Sequence, residues 1–519
     1  MFVTRLHRFA VPGVIAVAAL GLIGLSAPAA SAAPCAVTVP GDINGDGQAD
    51  QAIGEPGDAD FAGAVHVLYG TDNGLVTDAS GTALNDQLFT QDTPGVPGVS
   101  EDGAVFGTST LLADVNGDNC ADLVVGAPGE NNFAVLYGSP SGVTTTGAQS
   151  FNEKGLFDNA AAPSPAFFGT PIVSGDFNDD GTADLAVGAT GDVAGSGWEH
   201  GSVAVIYGAA GGLNTGATAA SLITQESSGV PGTSENGDLF GDALAAGDFD
   251  GNGVADLAVG VPGENNGRGI VQVLPGKAIS GLGAVNATTY SQDTAGVPGV
   301  AENDDQFGFA VAAGDATGDG RADLAVGAIG ENGSRGAVSF LRGSTSGLTG
   351  SGSQMWSQDS PGVKGVAGAD DDFGFSLVMA PLDNGPLADL AIGVPGDAIG
   401  STPKAGGVNW LLGTSGGLTA EGAGQRFSQN TDGIAGTAET NDSFGFTVSA
   451  APIVTTGEYN LVISAPFEKL GSTRGAGIVH QLATFEFGPS PVDSRSFTLD
   501  SAGLKGTKEV SSLFGHALS

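Results

Sequence analysis

Positive charge is what this chain has least of. Only 16 Lys and Arg stand against 57 Asp and Glu in 519 residues, a net charge of −41. Nucleic acid and anionic membrane surfaces would both be repelled by such a chain, so neither is expected as a partner. A balance this acidic suits a protein that binds cations. Cysteine is nearly missing, with Cys35 and Cys120 alone. An exported chain could join them, and a bridge is expected here over two free thiols. Long apolar runs are missing beyond residues 11–25. That run follows Arg5, His7 and Arg8 and precedes Ala30-Ser31-Ala32. It has the layout of a secretory signal cut after Ala32, and it is too short for a stable membrane span. Pro34 before Cys35 excludes a lipoprotein signal. Helical periodicity does not persist anywhere, which excludes helix bundles. Disorder is excluded too, because 41% of residues are hydrophobic and the acids are clustered in motifs.

What is present is a repeat. The pair Phe-Gly recurs at Phe106, Phe168, Phe240, Phe307, Phe373, Phe444 and Phe514. An apolar stretch ending in Gly-x-Pro or a variant recurs at Ile53, Val125, Val187, Val259, Val326, Ile392 and Ile463. A second stretch with alternating apolar residues follows each, then a turn such as TDNG or SPSG. Seven units of four short strands result. A lone four-stranded sheet cannot bury both faces, so the units must stack, and radial stacking gives an all-β, seven-bladed propeller. The chain ends support ring closure over an open solenoid. The last residues carry Phe-Gly with no loop or apolar strand after it, while the first mature residues carry those with no Phe-Gly before them. Residues 36–39 compete with residues 516–519 for the innermost strand of blade one. If the C-terminus takes it, Cys35 can reach Cys120, and if the N-terminus does, the bridge is hard to make. The expected layout is a signal over 1–32, then blade one over 33–103 completed by 511–519. Blades two to seven follow over 104–165, 166–237, 238–304, 305–370, 371–441 and 442–510.

A nine-residue pattern carries the chemistry. It occurs as Asp42/Asn44/Asp46/Asp50, Asp114/Asn116/Asp118/Asp122 and Asp176/Asn178/Asp180/Asp184. Asp248/Asp250/Asn252/Asp256 and Asp315/Thr317/Asp319/Asp323 complete the set. Calcium takes six to eight oxygens, and side chains at positions 1, 3 and 5 of a tight loop converge on one point. The carbonyl at position 7 adds another, from Gln48, Cys120, Thr182, Val254 or Arg321, and the closing aspartate can bind through both oxygens. Position 6 requires positive φ, which accounts for Gly47, Gly181, Gly253 and Gly320, with Asn119 as the next-best residue. About five calcium ions are therefore expected, and folding should depend on them. Blade six keeps Asp383 and Asp389 but has Pro381 and Gly385, and blade seven has Pro452, Val454, Thr456 and Asn460 at the ligand positions, none of them an acid.

Phe-Gly, the DxNGDGxxD loop and VGAP together resemble the FG-GAP repeat of integrin α-subunit propellers and of secreted bacterial proteins. The resemblance implies structural calcium loops between the first and second strands of each blade, on the lower face. Integrin-type signalling is not carried over.

The opposite face has its own pattern. An acid stands three residues past each GAP strand, at Asp58, Glu130, Asp192, Glu264, Glu331, Asp397 and Glu468. These form either a ring of carboxylates that binds a cationic or calcium-bridged ligand, or caps that hold the blades together. A loop of the type QDTPGVPGVSEDG precedes most Phe-Gly pairs. Blade three departs from it, and Trp198, Glu199 and His200 make it the asymmetric spot. No catalytic set emerges. Gly413-Thr-Ser415-Gly-Gly417 matches the nucleophile elbow formally, but it aligns with ordinary hairpin turns. No HExxH occurs, and His66, His200, His480 and His516 are scattered. The reading is a secreted, monomeric, calcium-loaded module that binds an extracellular protein or glycan. The runner-up is a secreted hydrolase or polysaccharide lyase with the propeller face as its platform.

Overall fold

Seven antiparallel sheets follow one another along the chain in the computed structural model. The structure describes residues 35, 39–77, 86–157, 167–191, 200–213, 220–383, 385–422, 426–454, 457–485 and 488–519. The expected signal segment, Asp192, Trp198 and Glu199 lie outside the described residues. Blade two is representative, with strands Thr110–Ala113, Asp122–Ala127, Asn132–Tyr137 and Thr144–Asn152 in sequence order. Blade six adds a fifth, because Gly417–Thr419 and Arg426–Phe427 both pair with Gly407–Thr414.

The second strand of every blade is buried along its whole length, from Gln51–Glu55 in blade one to Asn460–Ala465 in blade seven. Its sequence has no polar alternation because both of its faces meet neighbouring sheets. The Phe of each Phe-Gly pair is fully buried. The glycine after it has positive φ, from 87° to 107°. At Gly107 a Cβ would also meet the Ala64 carbonyl oxygen at 2.2 Å.

Seven apolar clusters fill the seven gaps between blades. Val65 and Val67 of blade one meet Leu123 and Val125 of blade two in the first cluster. In the last, Val462 and Val479 of blade seven meet Ile53 and Leu68 of blade one. An open stack of seven would have six such clusters, so the seventh makes the ring.

The C-terminus completes blade one. Leu518 bridges Ile53, the Gly54 N–H donates to the Ala517 carbonyl at 2.9 Å, and the Ser519 N–H donates to the Ala52 carbonyl at 3.3 Å. The other expectation tied to this closure holds as well. Cys35 and Cys120 form a disulfide with Cα atoms 5.1 Å apart, and the Cys35 N–H donates to the Asp118 carbonyl at 3.0 Å. The start of the described chain is thus tied beside the second acidic loop rather than laid along the axis.

Candidate metal loops and the opposite loop face

Each acidic loop leads into the second strand of its blade, at one end of the ring, and in blades two to five it comes from the first. The chain wraps around its own acids. The position-1 carboxylate receives backbone N–H groups from positions 4 and 6: Asp42 from Gly45 at 2.7 Å and Gly47 at 2.8 Å, Asp248 from Gly251 and Gly253 at 2.8 Å each. The oxygen at position 5 receives the N–H of position 7, as in Asp118 with Cys120 at 3.0 Å and Asn252 with Val254 at 2.8 Å. These bonds fold each loop around its acids. Position 6 takes the left-handed backbone throughout, with φ from 83° to 91° at the four glycines and 66° at Asn119.

Among the described residues, Asp248, Asp250 and Asp256 bring one carboxylate oxygen each within 4.8 Å of one another, close enough to share one ion. Three further ligand-position oxygens, Asp118 Oδ2, Asn178 Oδ1 and Thr317 Oγ1, are buried without a hydrogen-bond partner. An orphaned buried acceptor inside a loop of acids is satisfied by a cation, so this donor set fits a hard divalent ion.

The five loops are not equivalent in how closely their carboxylates approach one another. In loops one, two, three and five, the three carboxylates do not come within that distance of one another among the described residues. The reason lies in positions 3 and 5. Loop four places its second acid, Asp250, at position 3, whereas the others place theirs at position 5, although Asp250 and Asn252 also accept loop N–H groups, at 2.9 and 2.8 Å. In loop one, Asn44 Oδ1 accepts the Asp46 N–H at 2.8 Å, and Asp46 Oδ1 accepts the Gln48 N–H at 3.0 Å. In loop two, Asn116 Oδ1 accepts the Asp118 N–H at 2.8 Å, while its Nδ2 donates to Asp122 at 3.3 Å. That amide thus occupies one oxygen of the closing acid. In loop three, both oxygens of Asp180 are engaged, one by the Thr182 N–H at 2.9 Å and one by the Asn178 amide at 3.0 Å. In loop five, Thr317 has only a hydroxyl to offer, and its N–H donates to Asp323 at 3.0 Å. Arg321 also places its guanidinium 3.1 Å from Asp319. Asn44, Asp46, Asn116, Asp180 and Thr317 sit at the expected places in their loops.

The closing aspartate does more than the sequence suggests. Its two oxygens accept two backbone N–H groups, one from position 2 of its own loop and one from the end of the third strand. Asp122 holds Val115 and Gly138, at 3.0 and 2.9 Å. Asp184 holds Phe177 and Gly208 at 2.9 Å each, and Asp256 holds Phe249 and Gly276. Asp389 keeps both bonds, to Leu382 and Gly413, in the blade whose other loop acids are reduced. Burial pushes Asp184 and Asp389 up to about 7 and Asp256 and Asp323 up to about 6, against the pull of these N–H bonds. Burial also pushes Asp50 and Asp122 well above the usual carboxylate range.

The loops are linked around the ring. The N–H at position 8 donates to the position-1 carbonyl of the preceding blade: Ala121 to Asp42, Ala183 to Asp114, Ala255 to Asp176, Ala322 to Asp248 and Ala388 to Asp315, at 2.8–3.1 Å. The Ala49 N–H carries the link back to Pro452 of blade seven.

At the other end, the expected carboxylate ring is not an exposed one. Glu264, Glu331, Asp397 and Glu468 are buried, and Glu130 and Asp58 lie nearer the surface. In five blades a glutamine from the loop before a Phe-Gly pair explains this. Gln91, Gln225, Gln292, Gln358 and Gln429 donate Nε2 to Glu130, Glu264, Glu331, Asp397 and Glu468, at 2.5–3.1 Å. Each glutamine precedes its acid by 39 residues. The periodicity of the acids is visible in the sequence, but the partner that buries them is not. Arg426 also pairs with Asp397. His200 is buried, with Nδ1 on Ser234 and Nε2 2.9 Å from Asn236, so its ring holds a loop together. Ser415 lies in the hairpin turn between Gly407–Thr414 and Gly417–Thr419.

Comparison with known proteins agrees with this geometry. The FG-GAP repeat model matches residues 106–148, 240–274 and 307–341. Integrin alpha pat-2 of Caenorhabditis elegans is 30% identical over 240 residues, which is 43% of this chain and 17% of that protein. Phosphatidylinositol-glycan-specific phospholipase D of Rattus norvegicus is 33% identical over 179 residues, 32% of this chain and 20% of that protein. The chain thus spans a fifth or less of the length of these relatives. Among solved structures, rhamnogalacturonan lyase YesW aligns with a TM-score of 0.34 and 12% identity, over 69% of this chain and 58% of that one.

Proposed function

Because this chain carries FG-GAP repeats and folds as an integrin α-like β-propeller, we propose that it is a calcium-stabilised extracellular binding module. On this reading the signal is removed after Ala32 and residues 33–519 act as one ring. Calcium is held by the side chains at positions 1, 3, 5 and 9 of the five loops and by the carbonyl at position 7. In loop three both oxygens of Asp180 already accept hydrogen bonds, so on this reading one of them turns to the ion. The partner, an extracellular protein or glycan, is engaged by the loops at the opposite end. One observation carries the proposal: the five acidic loops gather at one end and enclose their acids in their own hydrogen bonds. That end is built for structure and leaves the other for recognition. No described helix is long and apolar enough to cross a membrane. The activities of the longer relatives are not part of the proposal, since this chain spans a small share of them.

The test is a glycan and extracellular-protein binding screen in calcium, run beside a hydrolase and lyase panel. Saturable binding abolished by substitutions at the loop end, with no turnover, supports the module. Turnover that survives purification and vanishes with those substitutions would replace it with the enzyme reading.

A further inference from the structure

The turn after each GAP strand is nearly the same around the ring, which makes its departures readable. Gly57, Gly129, Gly263, Gly330 and Gly396 occupy one position in that turn. Each donates its N–H to the carbonyl two residues before a Phe-Gly pair, at 3.1–3.2 Å. A Cβ on any of them would come within 1.7–1.9 Å of the neighbouring carbonyl oxygen, so glycine is required there. Blade seven has Phe467 instead. Among the described residues no such bond joins Phe467 to Asp442. A cavity of about 760 Å³ opens between them, with Phe467, Phe61, Asn441, Lys469 and Arg474 in its wall.

Phe61 is a second departure in the same wall. The equivalent turns of blades four and five run through the left-handed region on Asn265-Asn266-Gly267 and Asn332-Gly333-Ser334, residues that tolerate it or are small. Blade one places Ala59, Asp60 and Phe61 there, at φ of 49°, 59° and 66°. A bulky aromatic in this region is strained, and such strain gathers at ligand clamps. Packing does not account for it, because Phe61 is 45% exposed. Phe467 is 39% exposed and held edge-on against Phe446, with centroids 5.4 Å apart.

The charges are the third departure. Lys469 and Arg474 are exposed, and neither is in an ion pair among the described residues. In a chain with 57 acids to 16 bases, two unpaired bases at one cavity are a local enrichment of positive charge that matches the two acids of its wall. The acids of the wall are Glu439, which is exposed, and Asp442, whose carboxylate receives the Glu439 N–H.

The backbone of the wall is already engaged. Asn441, Ser443, Ser511 and Leu513 donate their N–H groups to Pro403, Lys404, Arg474 and Gly475. An extended peptide would find no ladder there. What the cavity offers is two aromatic faces, hydroxyl and amide groups, an ammonium and a guanidinium fork. A sugar ring bearing a carboxylate uses all of them: its C–H face lies on the phenyl rings, its hydroxyls meet Asn441 and Ser443, and its carboxylate meets Arg474 and Lys469. We propose that this blade-seven cavity binds a uronic-acid unit of an acidic saccharide. This specifies the ligand class of the loop end and rests on the binding-module reading above.

Titration calorimetry on the calcium-loaded full chain, with short galacturonate and glucuronate oligomers and their carboxyl-reduced neutral counterparts, tests this. An acidic oligomer is expected to bind about tenfold or more tightly than its neutral counterpart. Lys469→Gln with Arg474→Gln should abolish that preference without moving the melting temperature. Phe467→Gly restores the residue found in the six other blades, so the protein should stay folded while binding of both forms is lost. Equal binding of acidic and neutral oligomers, binding indifferent to these substitutions, or no binding of any oligomer overturns the inference. If the loop end then captures another ligand in the screen above, the module reading stands and the saccharide site alone is wrong. An acidic peptide competing at this cavity more tightly than either uronate also overturns it.

Discussion

Asp389 and Asp256 close the same kind of loop, and only one of them closes a complete set of acids. Both hold two backbone N–H groups, so the latch is separable from the metal. Asn at either position offers one acceptor oxygen and turns an amide donor toward the second N–H. Asp389→Asn should destabilise by about 1–3 kcal/mol, by the same amount with calcium or with chelator in denaturant titrations. Asp248→Ala, which removes a position-1 oxygen, should lower stability in calcium and change it much less in chelator. The pH dependence has a definite sign. A carboxyl raised in the folded state binds its proton more tightly there than in the unfolded chain. Its contribution is fully present below the ordinary value near 3.8 and is lost as pH rises through the folded value, about 6 for Asp256 and Asp323 and about 7 for Asp184 and Asp389. In chelator the melting temperature should therefore fall as pH rises from about 5 to about 7.5. Saturating calcium should cancel that fall, because the ion binds the deprotonated form.

At the scale of loops and strands, legibility in the sequence followed spacing. The five acidic loops could be read because positions 1, 3, 5, 6 and 9 fix both the acids and the left-handed turn within nine residues. How closely their carboxylates approach could not, because spacing does not say which oxygens of Asp46 or Asp180 the loop's own N–H and amide groups hold. The acids after each GAP strand could be read as a period, but not their burial, since Gln225 and Glu264 are brought together only by the fold. The cavity at Phe467 was out of reach for another reason. It is a departure from the repeat, and its meaning depends on the carbonyl a Cβ would strike in the other blades. The disulfide also belongs to this scale. It closes 85 residues of sequence separation and ties residue 35 to the second loop. Replacing both cysteines by serine should cost up to about 4–5 kcal/mol, read as a lower denaturant midpoint with an unchanged slope.

For the whole molecule, the closure strand and the head-to-tail bonds between loops make the ring a single cooperative unit. Ser519 and Ala517 hold blade one from the far end of the chain. Truncation after Val510 removes that strand and Phe514, which is fully buried in the seventh cluster. The truncated chain should lose cooperative unfolding and become open to limited proteolysis, first in blade one. The central claim is that calcium in the five loops stabilises this ring. It is tested most directly by a thermal melt of the mature protein in excess calcium and again in chelator, with bound metal counted. A large fall in melting temperature on chelation, with about five calcium ions per chain, is the expected result. An unchanged melt with no bound metal would contradict it, and the acidic loops would then be turns alone.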